Sequence, residues 1–324
     1  MPWQDSGAAF AARVAASAAT VARGPRLSTL IFHRVLRQPD PIFPLEMEAV
    51  RFERLMRVVA RAFQVLPLNE AVARLDRHEL PPRALAITFD DGYADNHDVA
   101  LPILRNLGLP ATVFVSTAFL DGGRMWNDTV IECLRRTRQD VIDLAEMELA
   151  VMPCTTAAER RKVIDKVLPV VKYRPPEQRE PLLQRLHALC GHPELPTDLM
   201  MTSGQLRALP RAGLAVGAHT VHHPILLTLP DPAARAEMSD GRAHLQELLD
   251  APVPLFAYPN GRPGQDYDQR HADIARSVGF TAAVSTRPGV AKAGDDLFHL
   301  PRFTPWQGSP LRWTASLVKH HSSA

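Results

Sequence analysis

Short apolar and β-branched runs alternate along this chain with longer stretches of 3.6-residue periodicity, the pattern of a parallel sheet or barrel wrapped by helices. Seven runs predict strands: Ser28–Val35, Ala84–Phe89, Ala111–Ser116, Leu214–His219, Pro254–Tyr258, Phe280–Ser285 and Phe298–Phe303. Between the first two, Phe52–Phe63 and Leu68–Leu80 predict amphipathic helices. Asp95–Leu107 predicts a third, ending at Gly108, a residue suited to a helix C-terminus. Seven parallel strands suffice for a small barrel.

Residues 122–205 break this rhythm. Their charge-rich blocks at Asp128–Arg138, Ala157–Val170 and Pro176–Cys190 read as helices with no clear strand. The expected organisation is a barrel over 25–310 interrupted by a helical insertion at 122–205, with an N-terminal helical extension over 1–24 and a C-terminal tail over 311–324. Such an insertion can wall the site at one end of a barrel or decorate the barrel elsewhere.

Composition narrows the function classes. The chain has 324 residues, 37 basic and 35 acidic, for a formal charge of +2, so no bulk field points to nucleic acid or an anionic membrane. No apolar run is long enough to span a bilayer. Cys133, Cys154 and Cys190 are spaced too irregularly for a disulfide framework or a cysteine zinc site and read as buried thiols. Residues 1–24 have Asp5, no early Lys or Arg, and Arg13 inside the Ala-rich part. They read as an amphipathic helix rather than a secretory leader, so the expected compartment is the cytoplasm, with export as the alternative.

Two clusters carry candidate chemistry. Asp90 and Asp91 end the apolar run Ala84–Phe89 and are followed by Gly92, which permits a sharp turn. Two carboxylates at the end of a buried strand are costly to desolvate unless a cation compensates, although one could simply cap the next helix. His219, His222 and His223 follow the buried run Leu214–Ala218. If the chain turns helically there, His219 and His223 face a common point and His222 points away. A divalent metal held by two imidazoles and one carboxylate would leave the second carboxylate free as a base.

These segments, Thr88-Phe89-Asp90-Asp91-Gly92-Tyr93 and His219-Thr220-Val221-His222-His223-Pro224, resemble the polysaccharide deacetylase family, also called carbohydrate esterase family 4 or the NodB-homology family. The likeness runs from about Leu30 to Phe303 and implies a distorted (β/α)7 barrel with the helical insertion outside its common core. It implies Asp90 as the catalytic base, Asp91, His219 and His223 as ligands of a divalent metal, zinc first, and N-acetyl groups on amino sugars of a glycan or glycan precursor as substrate. Phe256-Ala257-Tyr258-Pro259-Asn260-Gly261 stands where the family has an R-x-P-Y-G type motif. The Asn260 backbone N–H can keep the oxyanion role, whereas Ala257 lacks the arginine that orients the base, and Arg302 is the expected substitute. His33, in Phe32-His33-Arg34-Val35, is the expected general acid, with His299 as the alternative. Trp126, beside Asn127 and Asp128, reads as an anchor for the insertion before a sugar platform. The rival readings are an inactive sugar-binding barrel and a deformylase or O-deacetylase using the same site.

Overall fold

In the computed structural model, residues 2–174, 176–304 and 310–321 are described. The strands are β1 (Arg26–Phe32), β2 (Gln64–Val65), β3 (Ala84–Phe89), β4 (Thr112–Val115), β5 (Val141–Ile142), β6 (Met152–Pro153), β7 (Ala215–Ala218), β8 (Leu255–Ala257), β9 (Ala282–Val284) and β10 (Ala291–Lys292). The α-helices are α1 (Pro2–Arg23), α2 (Ala49–Ala62), α3 (Leu68–Asp76), α4 (Leu101–Asn106), α5 (Trp126–Arg136), α6 (Ala157–Lys172), α7 (Pro176–Leu189), α8 (Ser203–Arg211), α9 (Asp231–Leu249), α10 (Gln269–Val278) and α11 (Pro310–His321). The chain divides into two compact units, residues 1–38, 47–120 and 201–324 in one and 39–46 and 121–200 in the other.

The first unit is built on a curled sheet in the order β10-β1-β3-β4-β7-β8-β9. All neighbours are parallel except β10, which runs antiparallel to β1. Six of the seven expected strands are regular. The seventh, Phe298–Phe303, is not: it touches β9 through Val284↔Leu300 and β1 through Leu30↔Phe303 as single bridges. Pro301 in its middle has no N–H to donate, so a continuous ladder cannot form there. The segment still closes the barrel, with Ser285 N–H donating to Leu300 O at 2.8 Å and Ile31 N–H to Phe303 O at 3.0 Å.

Alternation sorts side chains between two layers. Leu27, Ala84, Ala86, Phe114, Leu255, Ala257, Ala282, Val284 and Leu300 fill the interior, while Leu30, Phe32, Leu85, Ile87, Phe89, Val113, Val115 and Phe256 pack outward on the helices. Gly217 is a glycine by necessity, because a Cβ there would come within 2.4 Å of the Phe114 ring. The expected helix Asp95–Leu107 opens into a wider turn over Asn96–Ala100 before α4. Pro102 is the physical reason, since its ring crowds the carbonyl four residues back.

The second unit has α5, α6 and α7 around Val130, Cys133, Leu134, Val163, Val167 and Leu186. Two features of it differ from the expectation of a purely helical block at 122–205. Strands β5 and β6 pair antiparallel, and the distant segment 39–46 joins through Asp40, whose carboxylate takes a two-pronged bond from Arg135. Helix α8 belongs to the first unit.

The C-terminal residues expected as a tail form α11, which packs on α1 and β1; Ser322–Ala324 lie outside the described residues. His321 is buried, with Nδ1 bonded to Ser28 Oγ at 2.8 Å. Burial, together with Arg26, His320 and Arg83, pushes His321 from 6.5 down to about 4. The unfolded chain therefore takes up this proton first, and the stability contributed by a neutral His321 is full above about 6.5 and falls as pH drops toward 4. Urea midpoints measured at about pH 7 and about pH 5 should fall for the wild type and fall less for His321→Gln, which cannot ionise. Equal falls would show that His321 does not titrate in this window.

Candidate active site

The sequence candidates come from the C-terminal ends of neighbouring strands. Asp90 follows β3, and its backbone N–H donates to Phe32 O at the end of β1 at 2.9 Å, which sets His33 level with it. Thr88 and Asp90 share the interior parity of Ala84 and Ala86. On the closing segment, Arg302 shares the parity of Leu300. The two sets meet inside the barrel.

Arg302 is almost wholly buried and forms a fork on Asp90, Nη1 to Oδ1 and Nη2 to Oδ2, both at 2.7 Å. Its Nε donates to Ser285 O at 2.9 Å, and Nη1 also reaches Thr88 Oγ1 at 3.2 Å. The Thr88 hydroxyl in turn donates to Leu30 O. A charge pair at this depth is tolerated only with such satisfied donors. Burial pushes Asp90 up, but Arg302 and His219 prevail and hold its carboxyl below the usual range. Ala257, where the family motif has its arginine, is buried in the same interior cluster as Ala84 and Ala86. These small side chains leave room for Arg302 to enter from the other side.

Asp91 is turned differently. Its φ of 76° and the 90° of Gly92 reverse the chain at once. Asp91 Oδ1 is buried without a hydrogen-bond partner and lies 3.4 Å from Nε2 of His219 and 3.4 Å from Nε2 of His223. The three donor atoms fall within 4.8 Å of one another, the one such group among the described residues. His219 Nδ1 donates to Ala257 O at 2.7 Å, so Nε2 is the atom turned toward the carboxylate, and against burial Asp91 and Asp90 hold this imidazole above its usual range. Burial pushes His223 down to about 4, leaving that ring neutral at pH 7. For Asp91, burial acts upward, and His219 and His223 hold it well below the carboxylate range. Two imidazole nitrogens beside a buried carboxylate oxygen that has no hydrogen-bond partner form a donor set suited to a cation. Donors each about 2.1 Å from a tetrahedral ion stand about 3.4 Å apart, so the two Asp91 separations fit a divalent metal.

The turn carrying the histidines is not the helical one expected. Thr220 (φ 67°) and His223 (φ 53°) both take left-handed conformations, and these bring His223 back beside His219, with ring centroids 4.8 Å apart. His222 points out to solvent and bonds Glu237.

His33 is half-buried at the end of β1, within electrostatic reach of Asp90, Asp91 and His223. His299 lies elsewhere, with Nδ1 on the Tyr267 hydroxyl and Nε2 on Gln269, both at 3.1 Å. Asn260 follows β8 with φ 58°; its carbonyl accepts from Thr286 Oγ1, and its N–H takes no part in the bonds that fix this turn. Trp126 packs on the core of the second unit, with the Arg179 guanidinium 5.0 Å from its ring centroid. Sequence reasoning missed Asp95 and Asn96. Asp95 accepts from Val35 N–H and Arg34 Nε, and Asn96 Nδ2 donates to His33 O, so together they fix the segment that carries His33. Their signal is their place in the turn just after the Asp pair.

Comparison with known proteins follows the same residues. Residues 77–145 and 191–283, half of the chain, match the model of the polysaccharide deacetylase family. YxkH of Bacillus subtilis (strain 168), a polysaccharide deacetylase by name, is 21% identical over 283 residues, covering 86% of this chain and 70% of that protein. The Streptococcus pyogenes deacetylase PplD, solved in complex with acetate, superposes with a TM-score of 0.60 at 20% identity, covering 91% of this chain and 98% of that one. IcaB from Ammonifex degensii gives 0.59 at 19%, covering 93% and 98%. Both structures share the curled barrel. With both motifs inside the matched regions and the barrel around them, the chain belongs to the polysaccharide deacetylase family.

Proposed function

We propose that this chain hydrolyses N-acetyl groups on amino sugars of a glycan or glycan precursor, with a divalent metal, zinc first, held by Asp91, His219 and His223. Membership of the family makes it an enzyme that removes acetyl groups. The observation that carries the finer reading is the unlike setting of two adjacent carboxylates: Asp90 is locked to Arg302, and Asp91 faces two imidazole nitrogens. Pairs of acids held in such different environments mark a division of labour. The acetate in the PplD structure is the acid that deacetylation releases, and it favours an acetyl over a formyl substrate.

A divalent ion bound there supplies Lewis acidity, lowering the pKa of a water and polarising an acyl oxygen. Asp90, ionised at neutral pH, takes a proton from the attacking water. The Arg302 fork holds the plane of that carboxylate and leaves a lone pair on each oxygen free for the proton. The Asn260 N–H donates to the acyl oxygen as negative charge develops on it. His33 protonates the departing nitrogen; His299, with both ring nitrogens bonded, is the poorer candidate. The C–N bond breaks, water's hydroxyl stays on the acetyl carbon, and the proton gained by Asp90 and the one lost by His33 are restored by exchange with solvent before the next turnover.

Two outcomes are expected. Asp90→Asn should keep metal at the wild-type stoichiometry and lose about 10²–10⁴-fold in acetate release from N-acetylated amino-sugar oligomers. Loss of metal in that variant would place Asp90 among the ligands, and a wild type that releases acetate only from O-acetylated sugars, or formate from N-formyl sugars, would overturn the N-acetyl assignment. In Arg302→Lys the fork is lost, burial raises Asp90, and the base is ionised only at higher pH. The acid limb of the kcat/KM profile should therefore move to higher pH; an unmoved limb in a folded variant would show that Arg302 does not set the ionisation of the base.

A further inference from the structure

The turn that brings His223 to Asp91 is held against local preference at Thr220, whose positive φ a β-branched residue resists, while His223 takes a positive φ that histidine tolerates more readily. Its peptides are gripped from two sides. From the loop after β4, Thr117 N–H donates to Thr220 O, Ala118 N–H to Val221 O, and Ser116 Oγ to His219 O. From α9, Glu237 Oε2 accepts the backbone N–H of Val221 and of His222, each at 2.9 Å, while Oε1 bonds His222 Nδ1 at 2.8 Å. Two successive N–H groups on one carboxylate oxygen form an anion nest. One turn along α9, Gly241 permits the approach: a Cβ there would stand 3.0 Å from the carbonyl carbon and oxygen of Thr220. The Glu237 side chain is only 16% exposed, so water competes weakly for these bonds.

We infer that Glu237 is a positioning residue for the cation site: its carboxylate holds the Thr220–His223 turn in the shape that places His223 Nε2 beside Asp91 before an ion arrives. The inference rests on the reading of Asp91, His219 and His223 as ligands. It also gives the middle histidine a role, since His222 points away from the ligands and adds the third bond to Glu237. Without Glu237 the turn relaxes toward ordinary backbone angles, and ion binding must then order it.

The test is zinc affinity of metal-free protein, measured by competition with a chromophoric chelator, alongside thermal unfolding of the same samples. Glu237→Ala should weaken zinc binding about 10–100-fold, and Glu237→Gln, which keeps an oxygen acceptor without the charge, should weaken it less. Met238→Ala, a buried neighbour on α9, should lower the unfolding temperature and leave zinc affinity within about threefold of wild type. Wild-type affinity in Glu237→Ala, or a loss no larger than that of Met238→Ala, overturns the inference. If the alanine variant does not fold, the glutamine variant decides, and unchanged affinity there overturns it. A wild type that binds no zinc, or an Asp91→Asn variant that binds it equally well, refutes the ligand reading itself, and the positioning role falls with it.

Discussion

The ion pair between Arg302 and Asp90 inside the barrel is the constraint around which the first unit is arranged. Burying a guanidinium and a carboxylate costs several kcal/mol per ion, offset only where geometry is good and the remaining donors are satisfied. Here the fork is two-pronged, Nε goes to Ser285 O and Nη1 also to Thr88. The barrel makes room with small interior residues, Ala84, Ala86, Ala257 and Ala282, and with Gly217, which lets Phe114 lie beneath the guanidinium. The closing segment, irregular because of Pro301, carries Arg302 between β9 and β1. Its single bridges suffice because the ion pair ties the same segment to β3.

From that pair follows the separation of two neighbouring acids. Asp90 continues the strand and points inward to Arg302. Asp91 leaves it at positive φ and meets the histidines that end β7. Gly92 enforces the reversal, with Val115 close enough to contact any Cβ placed there. One strand end therefore serves two electrostatic environments within a residue of each other.

Those parts of the candidate site that depend on local order were legible in the sequence. Asp90, Asp91, His219 and His223 stand at strand ends that apolar runs announce, and periodicity marks most helices. What it hid depends on distance. Arg302, which meets Asp90 across 212 residues, was expected only through the arginine that the motif lacks at Ala257, and no local pattern signals the pairing. Segment 39–46 joins a unit made of 121–200 through the acid Asp40 and the apolar Ile42 and Phe43, a pairing that no local pattern signals. Strands β5 and β6, two residues each, are too short to show alternation. The turn at Thr220–His223 is helical by spacing and left-handed at Thr220 and His223 in fact, because hydrogen bonds from the loop after β4 and from α9 outweigh local preference.

The central claim is that Asp91, His219 and His223 form a cation site that the fold builds in advance. X-ray absorption at the zinc edge of the metal-loaded wild type, compared with Asp91→Asn and His223→Ala, tests it most directly. One zinc per chain is expected, with two imidazole nitrogens and a carboxylate oxygen at about 2.0–2.2 Å, and each variant should lose its own ligand from that shell. A wild-type shell without two imidazoles, or one unchanged in both variants, would contradict the account.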